Sequence, residues 1–240
     1  MEFYEQFSCY YDYIFPLKNV KLNFMESCLK QGDEVLDLAT GTGNYAIELA
    51  KLGYNVSALD LSSKMIELAK DKSYEQNINI DFKVGDMKDI DQLYSEKKFD
   101  LITCIGNSLV HLDNEEEIAE VLSKIHYLLQ DNGKLILQIV NYDRIISKNI
   151  ESLPTINAKD SVVTLLRDYD LKGEKINFKT KLRTPRGEFV NSVLLYPLQS
   201  QVLFNLLKKL GYNKVKFYGD FEFNKYQALE SFPLVVLAEK

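Results

Sequence analysis

The chain has no tryptophan, two histidines and three cysteines in 240 residues. His111 and His126 are too few imidazoles for a histidine-rich metal centre, so no metal site is expected. Cys9, Cys28 and Cys104 are odd in number and widely spaced, without metal-ligand spacing. They read as reduced thiols of a cytosolic protein. No apolar run approaches the ~18 residues of a membrane span. The N-terminal stretch MEFYEQFSCYYDYIF lacks the basic start and apolar centre of a signal peptide. Basic residues are in deficit: 29 Lys and Arg face 35 Asp and Glu, for a net charge of -6. That balance argues against a whole-protein electrostatic footprint for nucleic acid. What remains is the composition of a globular chain, 46% hydrophobic with a mean hydropathy of -0.20. Its length suits one large domain, or one domain with a small insertion.

Strand and helix signals alternate over the first 140 or so residues. Val35–Leu38, Asn55–Leu59, Ile78–Val84, Phe99–Ile105 and Lys134–Val140 read as strands. Between them, Asn44–Leu52 reads as a helix stopped by Gly53. Ser62 N-caps a helix with Met65, Ile66 and Ala69 on one face. Asn114 and Glu117 make a capping box before a stripe of Ile118, Val121, Leu122, Ile125, Leu128 and Leu129. Asp131-Asn132-Gly133 is expected to end that helix. The pattern is that of an α/β fold, a doubly wound and mostly parallel sheet covered on both faces.

After Ile150 the pattern changes. Ser161–Asp170, Lys175–Thr184 and Glu188–Tyr196 read as antiparallel strands with turns at Leu171–Glu174 and Pro185–Gly187. Ile176, Phe178 and Leu182 face one way, and Lys179, Lys181 and Arg183 the other. A helix over Leu198–Leu210, stopped by Gly211, and strands Lys214–Tyr218 and Leu234–Ala238 return to the main sheet. The expected division is a cofactor-binding domain of residues 1–150 and 197–240, carrying an antiparallel insertion at 151–196 on the substrate side.

The stretch VLDLATGTGNYAIELA holds the chemistry. Gly41-x-Gly43-x-x-Ala46 has the spacing of a dinucleotide fingerprint. Such a ligand puts its pyrophosphate at the helix N-terminus, where Asp37, just upstream, would repel it. A cationic ligand removes the conflict. S-adenosylmethionine carries a sulfonium and an ammonium and no phosphate. Gly41 and Gly43 let the backbone approach a ligand closely. Asp60, at the end of the second strand, can accept both ribose hydroxyls. Asp86, after the third, can accept from the adenine amino group while Met87 packs on the ring. Any one of these aspartates alone suits a solvated helix cap. Three of them after three successive strands point to one ligand.

These residues carry a resemblance. The Asp37-Leu-Ala-Thr-Gly-Thr-Gly43 run, the segment Leu59-Asp60-Leu61-Ser62 with Met65, and Gly85-Asp86-Met87 resemble the motifs of class I S-adenosylmethionine-dependent methyltransferases. The resemblance implies a Rossmann-like seven-stranded sheet and S-adenosylmethionine as cofactor. Ala39 stands where that family usually has its first glycine. The N-terminal YEQFSCYYD is similar to the start of small members whose aromatics close over the cofactor, a role that would fall to Tyr4 and Tyr11. CIGNSLVHL, Cys104 to Leu112, and NYDRIIS, Asn141 to Ser147, resemble segments of glycine N-methyltransferase. That likeness sets Ile105 and Asn107 against the cofactor, and Asn141 and Tyr142 toward the substrate. The insertion from Lys159-Asp160-Ser161 resembles its antiparallel substrate-side strands. No arginine matches that enzyme's carboxylate clamp: Arg144 is near the right loop, and Arg167 and Arg183 lie on insertion strands.

The resulting expectation is methyl transfer to a small polar acceptor, most simply an amine nitrogen of amino acid or amino sugar type. A neutral amine needs placement more than a base. Asn107, Asn141 and Tyr142 can orient it, and His111 could take a proton. Competing readings are an NAD-dependent oxidoreductase, a non-catalytic cofactor-binding module and an RNA methyltransferase using the basic insertion strands. Ile105-Gly106-Asn107-Ser108 stands where base-directed N-methyltransferases carry Asn-Pro-Pro-Tyr or Asp-Pro-Pro-Tyr.

Overall fold

The computed structural model describes residues 2–158, 160 and 162–240, with side chains from Gln6 onward except Lys172. Tyr4 is in the first helix, and its side chain lies outside the described residues, as do Lys159 and Ser161. The chain opens with helices α1 (Glu2–Ile14) and α2 (Asn19–Glu26). Next come β1 (Glu34–Leu38), α3 (Asn44–Lys51), β2 (Asn55–Asp60), α4 (Ser63–Glu75), β3 (Asp81–Val84), α5 (Ile90–Leu93) and β4 (Phe99–Cys104). They are followed by α6 (Glu115–Leu128), β5 (Leu129–Val140) and α7 (Tyr142–Ser147). The insertion holds β6 (Ser152–Ala158), β7 (Val163–Lys172), β8 (Lys175–Thr184) and β9 (Gly187–Leu195). The chain closes with α8 (Ser200–Lys209), β10 (Lys214–Tyr218) and β11 (Pro233–Glu239).

The main sheet runs β10, β11, β5, β4, β1, β2, β3. It is parallel except for β11, which is antiparallel to both β5 and β10. The order reverses between β1 and β4, and the carboxyl ends beside such a reversal are where open α/β sheets bind ligands. Asp37 pairs with Thr103 and Leu38 with Cys104 at that point.

Apolar side chains cover both faces. Leu36, Ile102 and Leu137 pack with the α6 stripe and with Leu203 and Leu207 of α8. Val35, Leu101 and Ile136 pack with Ile47 of α3 and Ile66 of α4. Fully burying side chains of this size is worth ~1.5–3 kcal/mol each. The caps are local and sequence-set: Ser62 accepts from Met65 N, and Asn114 accepts from Glu117 N while Glu117 accepts from Asp113 N.

Several element boundaries differ from the sequence reading. The third strand begins at Asp81, not Ile78. β5 begins at Leu129, because Asp131-Asn132-Gly133 is an irregularity inside the strand and not a helix stop. Phe99 pairs with Leu129 and Leu101 with Lys134 across it, and Asn132 takes a φ of 63°. β6 was not expected; it pairs with β7 through a register shift between Leu153 and Ile156 that contains Pro154. β7 runs to Lys172, which pairs with Lys175, so the turn is two residues, Gly173-Glu174.

β6 to β9 form a separate four-stranded antiparallel sheet. Its inner face carries Val163, Leu165 and Leu182, which pack on Ile14 of α1 with Phe7 and Tyr10 alongside. α1 thus packs on the insertion, which also joins the main core directly through Leu153, Tyr169, Ile176 and Leu195.

Candidate functional site

β1 carries Asp37 to the sheet's carboxyl edge, where it is 2% exposed. Each of its oxygens accepts a hydroxyl: Oδ1 from Thr103 at 2.6 Å, Oδ2 from Thr40 at 2.7 Å. Burial pushes its pKa up to about 6, against the two hydroxyl bonds and with help from the nearby Asp60 charge. The chain then turns through Ala39 at φ 56°, Gly41 at φ 59° and Gly43 at φ 74°. A left-handed alanine costs roughly 1 kcal/mol, a physical reason for glycine to be the usual residue there.

Asp60 ends β2 and holds that loop. Its Oδ2 accepts from Gly41 N at 2.8 Å and its Oδ1 from Ser62 N at 2.9 Å. Each oxygen keeps a lone pair for a second donor. Burial raises its pKa, and the two backbone bonds work the other way. Leu61, next in sequence, is 71% exposed, an apolar surface at the strand end. Asp86 caps a short turn, accepting from Lys88 N, and Met87 packs half-buried against the core below.

α1 lies across the loop. A Cβ added to Gly41 would stand 3.0 Å from the Tyr11 hydroxyl and 3.1 Å from its ring. The glycine thus makes room for the aromatic. Burial, and then the Asp60, Asp12 and Asp37 charges, keep the Tyr11 phenol protonated. Beside it, Asp12 accepts from Lys72 at 2.6 Å, Thr42 at 2.5 Å and Asn44 at 2.9 Å. Burial opposes the Asp12 charge, but these bonds hold its pKa below the usual carboxylate value. This polar latch ties α1 to α3 and α4. Its members are too far apart in sequence for any local pattern to show it.

At the end of β4, Ile105 is buried and Asn107 takes a φ of 73°. Asn107 Oδ1 accepts from Val140 N at 2.9 Å, and its Nδ2 donates to the Tyr142 hydroxyl at 3.1 Å. Tyr142 is 1% exposed, and burial keeps its phenol protonated far above neutral pH. His111 follows in a short turn, where desolvation lowers its pKa.

Asn141 is drawn into the scaffold instead. Its Nδ2 donates to Ala228 O and Ser231 O, and its Oδ1 accepts from Tyr226 and from Arg144 N. Both donors and the oxygen are used, which leaves no group to orient a substrate. Tyr226 also bonds Asp143, which accepts from Ser200 N at the start of α8. The structure thus brings Asp37, Asp60, Gly41 and Tyr11 together, and Asn107 with Tyr142, while Asn141 serves the loop before β11.

Two clefts open nearby. One of about 400 Å³ at the end of β5 is lined by Arg144, Leu153, Pro154 and Phe232. The other, about 530 Å³, lies between α7 and the insertion, lined by Ile145, Asp168, Tyr169 and Ile176. Neither contains the aspartates of the glycine loop. Among the described residues, no group of three or more His, Cys, Asp and Glu could hold a metal ion, and no helix is long and apolar enough to cross a membrane.

The fit to S-adenosylmethionine rests on this geometry: a left-handed loop covered by Tyr11, a carboxylate with lone pairs to spare, a second charge behind the loop and an exposed apolar strand end. Comparison with known proteins agrees. Residues 35–133 match the family model for a methyltransferase domain. A glycine/sarcosine N-methyltransferase of Aphanothece halophytica is 29% identical over 197 residues, 80% of this chain and 71% of that protein. An S-adenosylmethionine-dependent methyltransferase from Clostridium acetobutylicum superposes with a TM-score of 0.82 at 20% identity, covering 98% of each chain. The sugar N-methyltransferase KedS8 from a Streptoalloteichus species gives 0.73 at 15% identity, over 99% of this chain and 92% of that one.

Proposed function

We propose that this chain, which belongs to the class I S-adenosylmethionine-dependent methyltransferases, transfers the methyl group to the nitrogen of a small polar amine. When bound, S-adenosylmethionine supplies an electrophilic methyl on sulfur. The oxidoreductase and binding-module readings give way to this membership. In our reading Asp60 takes the ribose hydroxyls, Asp86 and Met87 the adenine, and Leu61 and Ile105 flank the cofactor. Asp37 acts through its charge, behind Thr40 and Thr103, and Tyr11 closes the site, with Tyr4 on the same helix assigned by resemblance alone.

The observation that carries the amine reading is the Asn107–Tyr142 pair at 3.1 Å. An amide and a neutral phenol can orient an incoming nitrogen. They take no proton from it, and a neutral amine needs none removed before attack. A relative named for glycine and sarcosine and a structural neighbour named for sugar nitrogen support the same class.

RNA is the weaker acceptor. Its case rested on the basic strand face, whose charges are paired: Lys175 with Asp113, Lys179 with Asp170, and both Lys181 and Arg183 with Glu188. A phosphate backbone would have to displace those carboxylates. We place the enzyme in the cytosol on its cysteine pattern. The test is a panel of amino acids, amino sugars, simple amines, phenols and RNA, read by S-adenosylhomocysteine release. Turnover confined to phenols or RNA would refute the amine assignment.

A further inference from the structure

A sheet edge presents a row of unpaired N–H and C=O groups, and folded proteins shorten, cover or interrupt such rows. Three of the four edges of the two sheets are treated in this way. β3 has four residues, β10 is partly covered through the Tyr218–Lys225 bridge, and β6 carries Pro154 and a register shift. β9 is the exception. It runs nine residues in unbroken register with β8, without proline, bulge or lysine.

Its turn fixes where the free groups point. The two-residue turn closes on the Thr184–Gly187 pair, so every second residue from Gly187 bonds β8. Glu188, Val190, Ser192 and Leu194 therefore direct their N–H and C=O groups outward. Tyr196, next in that alternation, gives its N–H to Val110 O, while the four before it have no backbone partner beyond β8 among the described residues. Their side chains share the outer face of the sheet, where Val190 is 61% exposed and Leu194 52%. The charges at the two ends of the edge are opposite. Arg186, in the turn before β9, is exposed and has no carboxylate partner among the described residues. Past the other end, Glu115, Glu116 and Glu174 act on Tyr196, their charges adding to burial in raising its pKa. None of the three is in an ion pair among the described residues. An edge with a cation at its start and carboxylates past its end complements itself when reversed.

We propose that β9 pairs antiparallel with β9 of a second copy of this chain, about a two-fold axis at Asn191, and so joins the two insertion sheets into one. In that register every outward group of the edge is used: Val190 bonds Ser192 of the second copy, and Glu188 bonds Leu194. Val190 and Leu194 become diagonal neighbours across the seam, ~7–8 Å apart and within reach of each other. Arg186 comes opposite Tyr196, beside the carboxylates, at both ends of the seam, as an isologous contact requires. Lys179 and Lys181 do not repel across it, because each is paired within its own chain, with Asp170 and Glu188. A seam this short sits near the lower limit of specific interfaces, roughly 1,000 Å² in all, which points to association in the micromolar range.

The test is sedimentation equilibrium of the whole chain across the micromolar range, with Val190→Lys, Ser192→Pro and Arg186→Glu beside the wild type. The wild type should dimerise, Val190→Lys and Ser192→Pro at least tenfold more weakly, and Arg186→Glu several-fold more weakly. The Ser192 N–H does not bond β8, so proline there removes a seam donor and spares the ladder. If that variant does not fold, Val190→Lys, at an exposed position, carries the test. The register is read by oxidation in a Cys9→Ser background, since Cys28 and Cys104 are buried. Asn191→Cys should cross-link to itself, because a pair on the axis has its Cα atoms ~4.5 Å apart. Val193→Cys, opposite Phe189 of the second copy, should not. A wild type that stays monomeric throughout overturns the proposal and leaves the edge to a different partner. Dimers or larger assemblies that none of the three substitutions weakens overturn it as well. Cross-linking through Val193→Cys but not Asn191→Cys overturns the two-fold at Asn191.

Discussion

Replacing Asp60 with alanine separates the two tasks of that carboxylate. In the protein alone it accepts from Gly41 N at 2.8 Å and Ser62 N at 2.9 Å. Losing both leaves two backbone donors unmet, but it also relieves the burial of a charge that raises the Asp60 pKa. The net cost should sit near the low end, about 2 kcal/mol. For a chain of this size that is a fall in Tm of roughly 4–8 °C. The ligand loses more. Two hydroxyl bonds to a charged acceptor, each worth about 1.5–3 kcal/mol, correspond to a hundredfold or greater loss of affinity. Calorimetry with S-adenosylmethionine and S-adenosylhomocysteine, well below both melting temperatures, isolates that term. Asp60→Asn should fall between, because its amide oxygen can keep one N–H while its NH₂ faces the other. A dissociation constant within threefold of wild type in Asp60→Ala would refute the ribose assignment, whatever the Tm.

Asp37 gives a pH signature, since its pKa of about 6 in the free protein lies above the unfolded value. The folded state then holds the extra proton between the usual carboxylate range and about pH 6, so cofactor-free stability should fall as pH rises through that window. Affinity for a cationic ligand should do the opposite, weakening by up to about tenfold per pH unit below 6 and levelling off above it; a pH-independent dissociation constant from pH 5 to 8 would remove Asp37 from the site. Lys72→Met breaks a half-exposed pair, so stability should drop by no more than about 1 kcal/mol. Stopped-flow release of S-adenosylhomocysteine should nonetheless quicken several-fold, and an unchanged rate would mean the latch does not hold α1 closed. Asn141→Ala strips a partner from two carbonyls and from Arg144 N, while Tyr226 keeps Asp143, and should cost about 3 kcal/mol by denaturant melting with cofactor affinity retained. A stable Asn141→Ala protein with a raised acceptor KM would return that residue to the substrate.

The legible parts of this molecule are those that neighbouring residues decide. Ser62 and Asn114 cap their helices within three positions, and Asp37, Asp60 and Asp86 are found by counting from strand ends. The register irregularity at Asn132 was hidden because Asp-Asn-Gly is equally good turn chemistry inside a strand or after a helix. β6 was hidden by Pro154, which demotes a strand pattern unless an edge position excuses it. The scaffold bonds of Asn141 were hidden because its partners, Tyr226, Ala228 and Ser231, are far along the chain and the resemblance covered only its own loop. The inward turn of Arg167, whose Nε is buried without a partner, did carry a signal. In Leu165-Leu166-Arg167-Asp168-Tyr169 the period of two sets an arginine on the apolar face, and an inward charge within such an alternation is the informative anomaly.

α1 is anchored unequally on its two sides. Toward the insertion it buries Ile14 against Val163, Leu165 and Leu182, contacts that do not weaken with salt. Toward the cofactor loop it offers Tyr11 on Gly41 and the Asp12–Lys72 pair, whose side chains are 43% and 25% exposed. Burying even one such aliphatic side chain is worth ~1.5–3 kcal/mol, while a partly exposed ion pair is worth ~1 kcal/mol or less. The weaker seam is therefore the one over the glycine loop. When α1 lifts to admit a cofactor, it should part from α3 and α4 and stay on the insertion sheet. The insertion itself is fixed to the main core through Leu153, Tyr169, Ile176 and Leu195, so the parting of the weaker seam should turn α1 about the insertion and leave the sheets in place.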